Sequence, residues 1–251
     1  MHAGKLLFGS QCSNPIQHDT YGITELNDGE WHHVAATYDE NGGDNNLRVY
    51  VDGVLEGQST KTGQFVTGDF TIASSPAPGE YFDGSIDMLR IWKSALTQEQ
   101  IQENMNSSVA SVETGLLADW KFNSGDGDVL YDHSGNQNHG TINGAAWSDD
   151  VYVPPVPPVP GENNSLSFDG VDDYVDLGSP EELEFLDNDF SFLASFKANT
   201  VNRGWVISNY YGNGNYPVWM VGTTPQDGKG VLHYDITVSY THLRAHETLL
   251  Y

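Results

Sequence analysis

The chain has 251 residues, 38% of them hydrophobic, with 27 glycines and 13 tyrosines. Its 10 Lys and Arg against 35 Asp and Glu give a formal net charge of −25, which repels phosphate backbones and anionic membranes, so we expect no nucleic-acid partner. No apolar run approaches the ~20 residues that a membrane-spanning helix needs. The single cysteine, Cys12, permits no internal disulfide.

The clearest pair of strands lies between residues 28 and 57, after a short strand predicted at Lys5 to Gly9. Val34, Ala36 and Tyr38 alternate onto one face of a run rich in β-formers, and a loop rich in acids, amides and glycine follows. The next run alternates in the same way, with three apolar residues on one face: Leu47, Val49 and Val51. This pattern predicts an antiparallel hairpin with one buried face and therefore a largely β fold.

A further strand and a helix are predicted between residues 86 and 105. Regular alternation places Ile86, Met88, Arg90 and Trp92 on one face of a strand. Because both faces of this strand carry apolar residues, we predict that it is covered on both sides. Thr97 and Gln100 then form a capping-box pattern, which starts a short helix that should end near Met105. We expect this helix to cover one end of the β structure.

The second half of the chain divides by composition. Residues 107–150 are rich in Gly and Asn, and we expect one strand there, Leu117 to Phe122, followed by a loop closed by Trp147. Residues 151–160 read VYVPPVPPVP, which predicts an extended, exposed polyproline spacer. Strand patterns resume at 161–237. Residues 238–251 include VSYTHLRAHET, which resembles a translated sequencing adapter, so this tail is left out of the interpretation.

Three blocks of the sequence resemble one family. DGEWHHVAATYD with LRVYVDGVLEG, YFDGSIDMLRIWKSALTQEQI and NSLSFDGVDDYVDLG are similar to the middle, closing and opening strands of laminin-G-like domains. The resemblance implies an all-β fold, an antiparallel jelly-roll β-sandwich of the concanavalin A-like lectin/glucanase type. It also implies that residues 1–106 are the C-terminal half of one domain and residues 161–237 the N-terminal half of a tandem second copy.

The two halves could form two separate half-sandwiches or one composite sandwich in permuted order. Each half alone would leave an apolar sheet face and unpaired strand edges in water, and docking the halves removes both. We therefore predict one composite jelly roll in which Leu166 to Gly170 lies beside the strand Ile86 to Trp92. In an intact parent protein, each half would pair with its own missing partner.

The resemblance further implies a calcium site at the rim of the sandwich. The matching carboxylates are Asp83 and Asp87 in FDGSID, and Asp169 and Asp172 in FDGVDDY. Calcium takes six to eight oxygen ligands, so such a set suits it. An alternative stays open, because Asp83 and Asp169 can serve only their FDG turns, where an Asp side chain accepts hydrogen bonds from its own backbone.

Two other polar motifs favour structural roles. The segment DHSGNQNHG at 132–140 is faintly similar to an EF-hand loop, but Gln137 and Asn143 occupy the positions where that loop needs Gly and Glu, so we interpret it as turn chemistry. His32 and His33 point to opposite faces of a strand and cannot bind one metal together. We expect one of these histidines to be packed and the other partly exposed.

A set of aromatic residues around the glycine-rich stretch 212–215 could bind a ligand. Aromatic faces stack on the apolar faces of sugars, but large aromatic side chains also fill cores. We assign Trp205 and Trp219 to the core and take Tyr210, Tyr211 and Tyr216 as candidate ligand-binding residues.

No catalytic set is visible in the sequence. Glucanases of this sandwich type carry Glu-x-Asp-x-x-Glu on one strand, whereas the nearest segment here, 181–189, places Leu186 where the third acid is needed. We therefore expect a non-catalytic binding or adhesion module, extracellular or at the cell surface, in a larger secreted protein whose signal peptide lies upstream.

The expected partners of this module are a glycan, an extracellular protein and the other domains of the parent chain. Two alternative functions stay open. The chain could be a structural spacer without a ligand, or an accessory domain of a glycoside hydrolase whose catalytic domain lies elsewhere. A glycan screen with and without calcium separates the binding module from the spacer.

Overall fold

The computed structural model describes residues 5–10, 18–61, 68–74, 80–107, 114–153, 164–183, 188–200, 204–210 and 217–223. In chain order the strands are β1 (Lys5–Ser10), β2 (His18–Glu25), β3 (His32–Tyr38), β4 (Leu47–Val51), β5 (Val54–Ser59), β6 (Asp69–Ile72), β7 (Asp83–Trp92), β8 (Leu116–Trp120), β9 (Val129–Leu130), β10 (Gly140–Asn143), β11 (Ala146–Ser148), β12 (Ser165–Asp169), β13 (Tyr174–Gly178), β14 (Phe190–Ala198), β15 (Gly204–Tyr210) and β16 (Pro217–Thr223). A helix, α1, spans Gln98–Met105, and a 3₁₀ turn spans Glu181–Leu183.

The strands form two antiparallel sheets that pack face to face, as the all-β sandwich prediction requires. The first sheet has the order β2-β1-β16-β15-β6-β13-β10-β9. The second sheet has the order β11-β12-β7-β14-β3-β4-β5, and β8 also pairs with β7. One large hydrophobic core lies between the sheets and takes side chains from both.

The predicted hairpin is confirmed in position, register and buried face. β3 and β4 pair from Tyr38 with Leu47 to Val34 with Val51. Val34, Ala36 and Tyr38, together with the apolar residues of β4, all belong to the main core. The period-two pattern predicted this face correctly because the hairpin contains no bulge.

The predicted contact between the two halves of the chain is also confirmed. Leu166 to Asp169 of β12 pairs with Ile86 to Asp83 of β7, and β14 pairs with both β7 and β3. In the other sheet, β1 pairs with β16, and β6 pairs with β13 and β15. Strands from 1–106 and from 164–223 therefore alternate within both sheets and share one core.

The face assignment predicted for β7 was wrong at its centre. Met88 has φ +59° and the register with β14 shifts at this point, which marks a β-bulge. The bulge adds one residue and exchanges the faces beyond it. Ile86, Leu89 and Ile91 therefore enter the main core together, whereas Trp92 lies on the outer face.

Helix α1 begins as predicted, with a capping box between Thr97 and Gln100, and ends at Met105. It covers the outer face of the second sheet and not one end of the sandwich. Its Ile101 packs there in a second cluster of buried side chains, which contains Ala35, Tyr50, Trp92, Leu96, Leu116 and Leu193. This cluster explains why β7 is apolar on both faces.

No helix in the described ranges is long and apolar enough to cross a membrane.

Arg90 of β7 links helix α1 to the second sheet through hydrogen bonds. Its Nε donates to Asp119 Oδ1 at 2.9 Å, and its Nη1 donates to the carbonyls of Asn104 at 2.9 Å and Ser107 at 3.1 Å. The guanidinium thus satisfies carbonyls at the C-terminal end of α1, where free acceptors remain. Arg90 and Asp119 are both almost completely buried, so each needs the other as an ionic partner.

The Gly/Asn-rich segment contains more β structure than predicted. Besides β8, it forms β9, β10 and β11, which pair with strands of both sheets at one side of the sandwich. Composition alone missed these strands because they have only two to four residues each. Strands this short depend on their neighbours for hydrogen bonds and burial.

The start of the predicted spacer lies against the body of the molecule. Residues 151–153 join no strand, as predicted, but the Tyr152 backbone N–H donates to Asp87 at 3.0 Å, and its ring lies 6.4 Å from that of Trp31. Tyr152 is only partly exposed, unlike the side chains of a free spacer, and this burial raises its pKa to about 12. The prolines at 154–160 and the tail at 238–251 lie outside the described residues.

Candidate functional site

An acidic rim cluster, defined here as Asp169, Asp172 and Asp173, lies in the turn between β12 and β13. One carboxylate oxygen from each residue can be chosen so that all three lie within 4.8 Å of one another. Gly170 has φ +75°, and Asp169 Oδ1 accepts a hydrogen bond from the Val171 N–H at 2.8 Å. This tight turn brings the side chains together, as Asp-Gly sequences commonly do.

Asp173 is the buried member of the acidic rim cluster. It is 7% exposed, and its Oδ2 accepts from the Asp169 N–H at 2.9 Å. Burial raises the pKa of its carboxyl group, and the negative charges of Asp169 and Asp172 raise it further. No ion pair among the described residues involves these three carboxylates. A bound cation would favour the ionised carboxylate of Asp173 and so offset both its burial and the repulsion from its two neighbours.

The loop between β10 and β11 closes the cluster from the other side. A Cβ atom placed on Gly144 would lie 2.0 Å from Asp173 Oδ1, so only glycine permits this approach. The donor set consists of carboxylate oxygens, which hard cations such as calcium prefer. The residues present therefore fit calcium by ligand type, with the remaining ligands to come from backbone carbonyls or water.

The predicted calcium residues are only partly brought together. Asp169 and Asp172 lie in the cluster, whereas Asp83 faces Asp169 across the ladder and accepts from the Asn199 side chain at 3.1 Å. Asp87 lies further along β7, where its Oδ2 accepts from the Tyr152 backbone. Sequence reasoning did not single out Asp173. The adjacent acids in FDGVDDY were the available signal, but the burial that distinguishes Asp173 comes from the neighbouring loop.

The candidate tyrosines cannot be placed. β15 ends at Tyr210, but the side chain of Tyr210 and residues 211–216, including Tyr211 and Tyr216, lie outside the described residues, as does the side chain of Trp219. Trp205 is fully buried as predicted, although it packs with Leu7 outside the main core, and its Nε1 donates to Glu80 at 2.7 Å.

The DHSG segment has the turn chemistry that was predicted. The carboxylate of Asp132 accepts from the backbone N–H groups of Asp119, Ser134 and Asn138 at 2.8–3.0 Å. The side chains of Asn136 and Asn138 donate to the carbonyl of Leu117, both at 2.9 Å. The polar groups of this loop are therefore occupied in holding the loop itself against β8.

The two histidines occupy opposite faces of β3, as predicted. His33 is fully buried, and burial, aided by the charge of Arg90, lowers its pKa to about 3. His32 is partly exposed, and its hydrogen bond to Asp52 at 2.9 Å raises its pKa. The buried ring is therefore neutral near neutral pH, and the pair forms no common metal site.

The segment compared with the glucanase strand is not a strand at its start. Glu181–Leu183 forms a 3₁₀ turn, and residues 184–187 lie outside the described ranges. A 3₁₀ turn does not alternate side chains between two faces as a strand does, and Leu186 lies among the residues outside the described ranges.

Comparisons with known proteins locate the resemblance in the first part of the chain. Residues 3–102 match a laminin G family model described as the concanavalin A-like lectin/glucanases superfamily. The chain is also similar to the protein named "Sushi, von Willebrand factor type A, EGF and pentraxin domain-containing protein 1" from Rattus norvegicus and from Mus musculus. In both cases it is 32% identical over 106 residues, which cover 38% of this chain.

The chain spans about 3% of the length of these curated relatives. No solved structure matches it significantly. The strands β3, β4 and β7 and the start of helix α1 lie within the matched segment. The sequence match over residues 3–102 and the two-sheet architecture both agree with a concanavalin A-like β-sandwich fold.

Proposed function

We propose that the chain is a non-catalytic extracellular binding module whose ligand is a glycan and whose rim binds calcium. Laminin-G-like domains are typically extracellular, generally non-catalytic modules that bind glycans or extracellular proteins, which supports this class of function. The acidic rim cluster is the observation that carries the proposal, because three converging carboxylates with no basic partner among the described residues favour binding of a divalent cation.

The relatives support a role within a larger protein. The name of these relatives lists several domain types, and the present chain matches only a small part of each relative. We infer that the parent of this chain is likewise a multidomain protein. We propose that this parent is secreted and that weak glycan binding by one module is strengthened when several modules bind together.

Calcium binding is tested by thermal unfolding. A cation that binds the folded state alone raises Tm by mass action, so we expect a higher Tm in millimolar calcium than in chelator. Asp172→Asn, which removes an exposed ligand, should reduce this increase. Asp44→Asn is the matched control, since it removes an exposed charge outside the cluster. An equal Tm with calcium and with chelator would contradict the proposal.

Glycan binding is tested on a glycan array with and without calcium. We expect binding to neutral glycans, because a chain with a net charge of −25 repels sulfated and sialylated ones. Absence of binding under both conditions would favour a structural spacer over a binding module.

A further inference from the structure

A cleft beside the edge strand of the first sheet shares no lining residue with the acidic rim cluster. It has a volume of about 370 Å³, within the range of small-ligand pockets. Strand β9 ends the first sheet, and the cleft is formed by the loop that leads into it and by the strand itself. Its lining residues are Ser124, Asp126, Gly127, Asp128, Val129 and Tyr131.

The loop around the cleft is held in place by other strands. The carbonyl of Gly127 accepts from Trp147 Nε1 at 2.9 Å, and the carbonyl of Asp128 accepts from the Ile142 N–H at 2.8 Å. The carbonyl of Asn123 accepts from the Asn164 side chain at 3.3 Å. Since its shape is fixed by these bonds, the loop loses little conformational freedom when a ligand binds.

Tyr131 supplies an aromatic surface that water reaches. This side chain is 49% exposed, and its ring packs edge-to-face against His139 with a centroid distance of 5.4 Å. His139 is itself oriented, because its Nδ1 accepts from the Asp132 backbone N–H at 3.0 Å. A fixed and exposed aromatic ring can stack on the C–H face of a sugar, and its tilt is set by this contact.

The polar groups of the cleft are acceptors suited to hydroxyl groups. Asp126 and Asp128 are exposed, and neither belongs to an ion pair among the described residues. A Cβ atom placed on Gly127 would meet no atom within 4 Å, so no described side chain crowds this lining residue. Carboxylates accept two hydrogen bonds from neighbouring sugar hydroxyls and repel anionic sugars.

From these features we propose that the Ser124–Tyr131 cleft binds a neutral saccharide, with Tyr131 stacking on a pyranose ring and with Asp126 and Asp128 accepting from its hydroxyls. This inference rests on the proposed glycan-binding function and gives it a location. The site differs from the tyrosines at 210–216 that the sequence suggested.

The test uses the full chain with lactose, cellobiose, maltose and N,N′-diacetylchitobiose as probes, followed by saturation-transfer NMR and titration. Tyr131→Ala should weaken binding at least about fivefold, because the stacking surface is lost, and Tyr131→Phe should bind like the wild type. Asp128→Asn should also weaken binding, whereas Asp44→Asn, which removes an exposed acid outside the cleft and outside the acidic rim cluster, should leave it unchanged. Far-UV circular dichroism and Tm identify any variant that fails to fold. If Tyr131→Ala fails to fold, the test rests on Asp128→Asn, which changes an exposed side chain.

The outcomes separate the two proposals. If the wild type binds none of these probes and no neutral glycan on the array, the proposed function fails, and the cleft assignment fails with it. If the wild type binds but Tyr131→Ala and Asp128→Asn bind equally well, only the cleft assignment is overturned. Binding of spermidine in place of the saccharides would identify the cleft as a cation site and would also overturn it.

Discussion

Two consecutive histidines respond to pH in opposite directions because β3 points them to opposite faces. His33 is buried, and its pKa of about 3 lies far below the ordinary value of 6.5. Below about pH 6.5 His33 is protonated in the unfolded chain but stays neutral in the folded chain. The free energy of unfolding therefore falls as the pH falls toward 3. His32 has a raised pKa, so its hydrogen bond to Asp52 stabilises the fold below the unfolded value and this contribution is lost as the pH rises.

We predict that variants of the two histidines change the pH profile of unfolding in different ways. His33→Phe, which cannot titrate, should make the loss of stability between about pH 6.5 and pH 3 less steep. His32→Gln should cost up to about 1 kcal/mol below pH 6 and less above pH 8. Urea unfolding across this pH range measures both effects. Profiles of both variants that run parallel to the wild type would show that these assignments are wrong.

The edge strands β2 and β5 end the two sheets on the same side of the sandwich and are joined by one carboxylate. Glu56 Oε2 accepts from the N–H groups of Ile23 at 2.8 Å and Thr24 at 3.0 Å, and Oε1 accepts from the Thr24 hydroxyl. These N–H groups lie on an edge that would otherwise be open to another strand. Glu56 therefore occupies N–H groups on the edge of the first sheet that another strand could bind, and it links this edge to β5 of the second sheet.

We predict that Glu56→Ala lowers the free energy of unfolding by about 1–3 kcal/mol, because the partners of three hydrogen bonds are lost. Glu56→Gln should cost less, since an amide oxygen still accepts from the two N–H groups. Glu40→Ala is a suitable control, because it removes an exposed acid from a loop. Denaturant unfolding measures the change, and light scattering reports any association through the freed edge. Equal stability of the Glu56 and Glu40 variants would contradict this role.

The complete sandwich depends on both halves of the chain. Phe82 packs edge-to-face with Phe196 at 5.5 Å and with Phe168 at 6.5 Å, so residues from the two halves of the chain form one aromatic group. Ser191 of β14 accepts from the Leu96 N–H and donates to the Ser94 carbonyl, each at 2.7 Å, directly before α1. Neither half retains a closed core without the other.

We therefore predict that the two halves stay together when the chain is cut. A protease site inserted between Pro157 and Pro158 separates β1–β11 from β12–β16 and interrupts no strand of the described ranges. The cut pieces should co-elute in gel filtration, with a Tm that is lower and now depends on concentration, because the tether no longer limits their separation. Concentrated urea should release them. Separate elution under native conditions would show that the shared core does not hold the halves.

The sequence alone was sufficient for the features that depend on local pattern or on burial of a complete face. The β3–β4 hairpin, the capping box of α1 and the docking of β12 beside β7 follow from alternation, from cap chemistry and from the cost of exposing an apolar sheet. Tertiary structure decided the remainder, since each missed feature depends on contacts between distant residues. A bulge at Met88 exchanged the faces of β7, Gly144 buried Asp173, and pairing with β13 and β12 turned the expected loop at 140–148 into strands. The cleft at Tyr131 exists because Trp147, Ile142 and Asn164 hold its loop, and hydrogen bonds over such separations leave no periodic signal in a sequence.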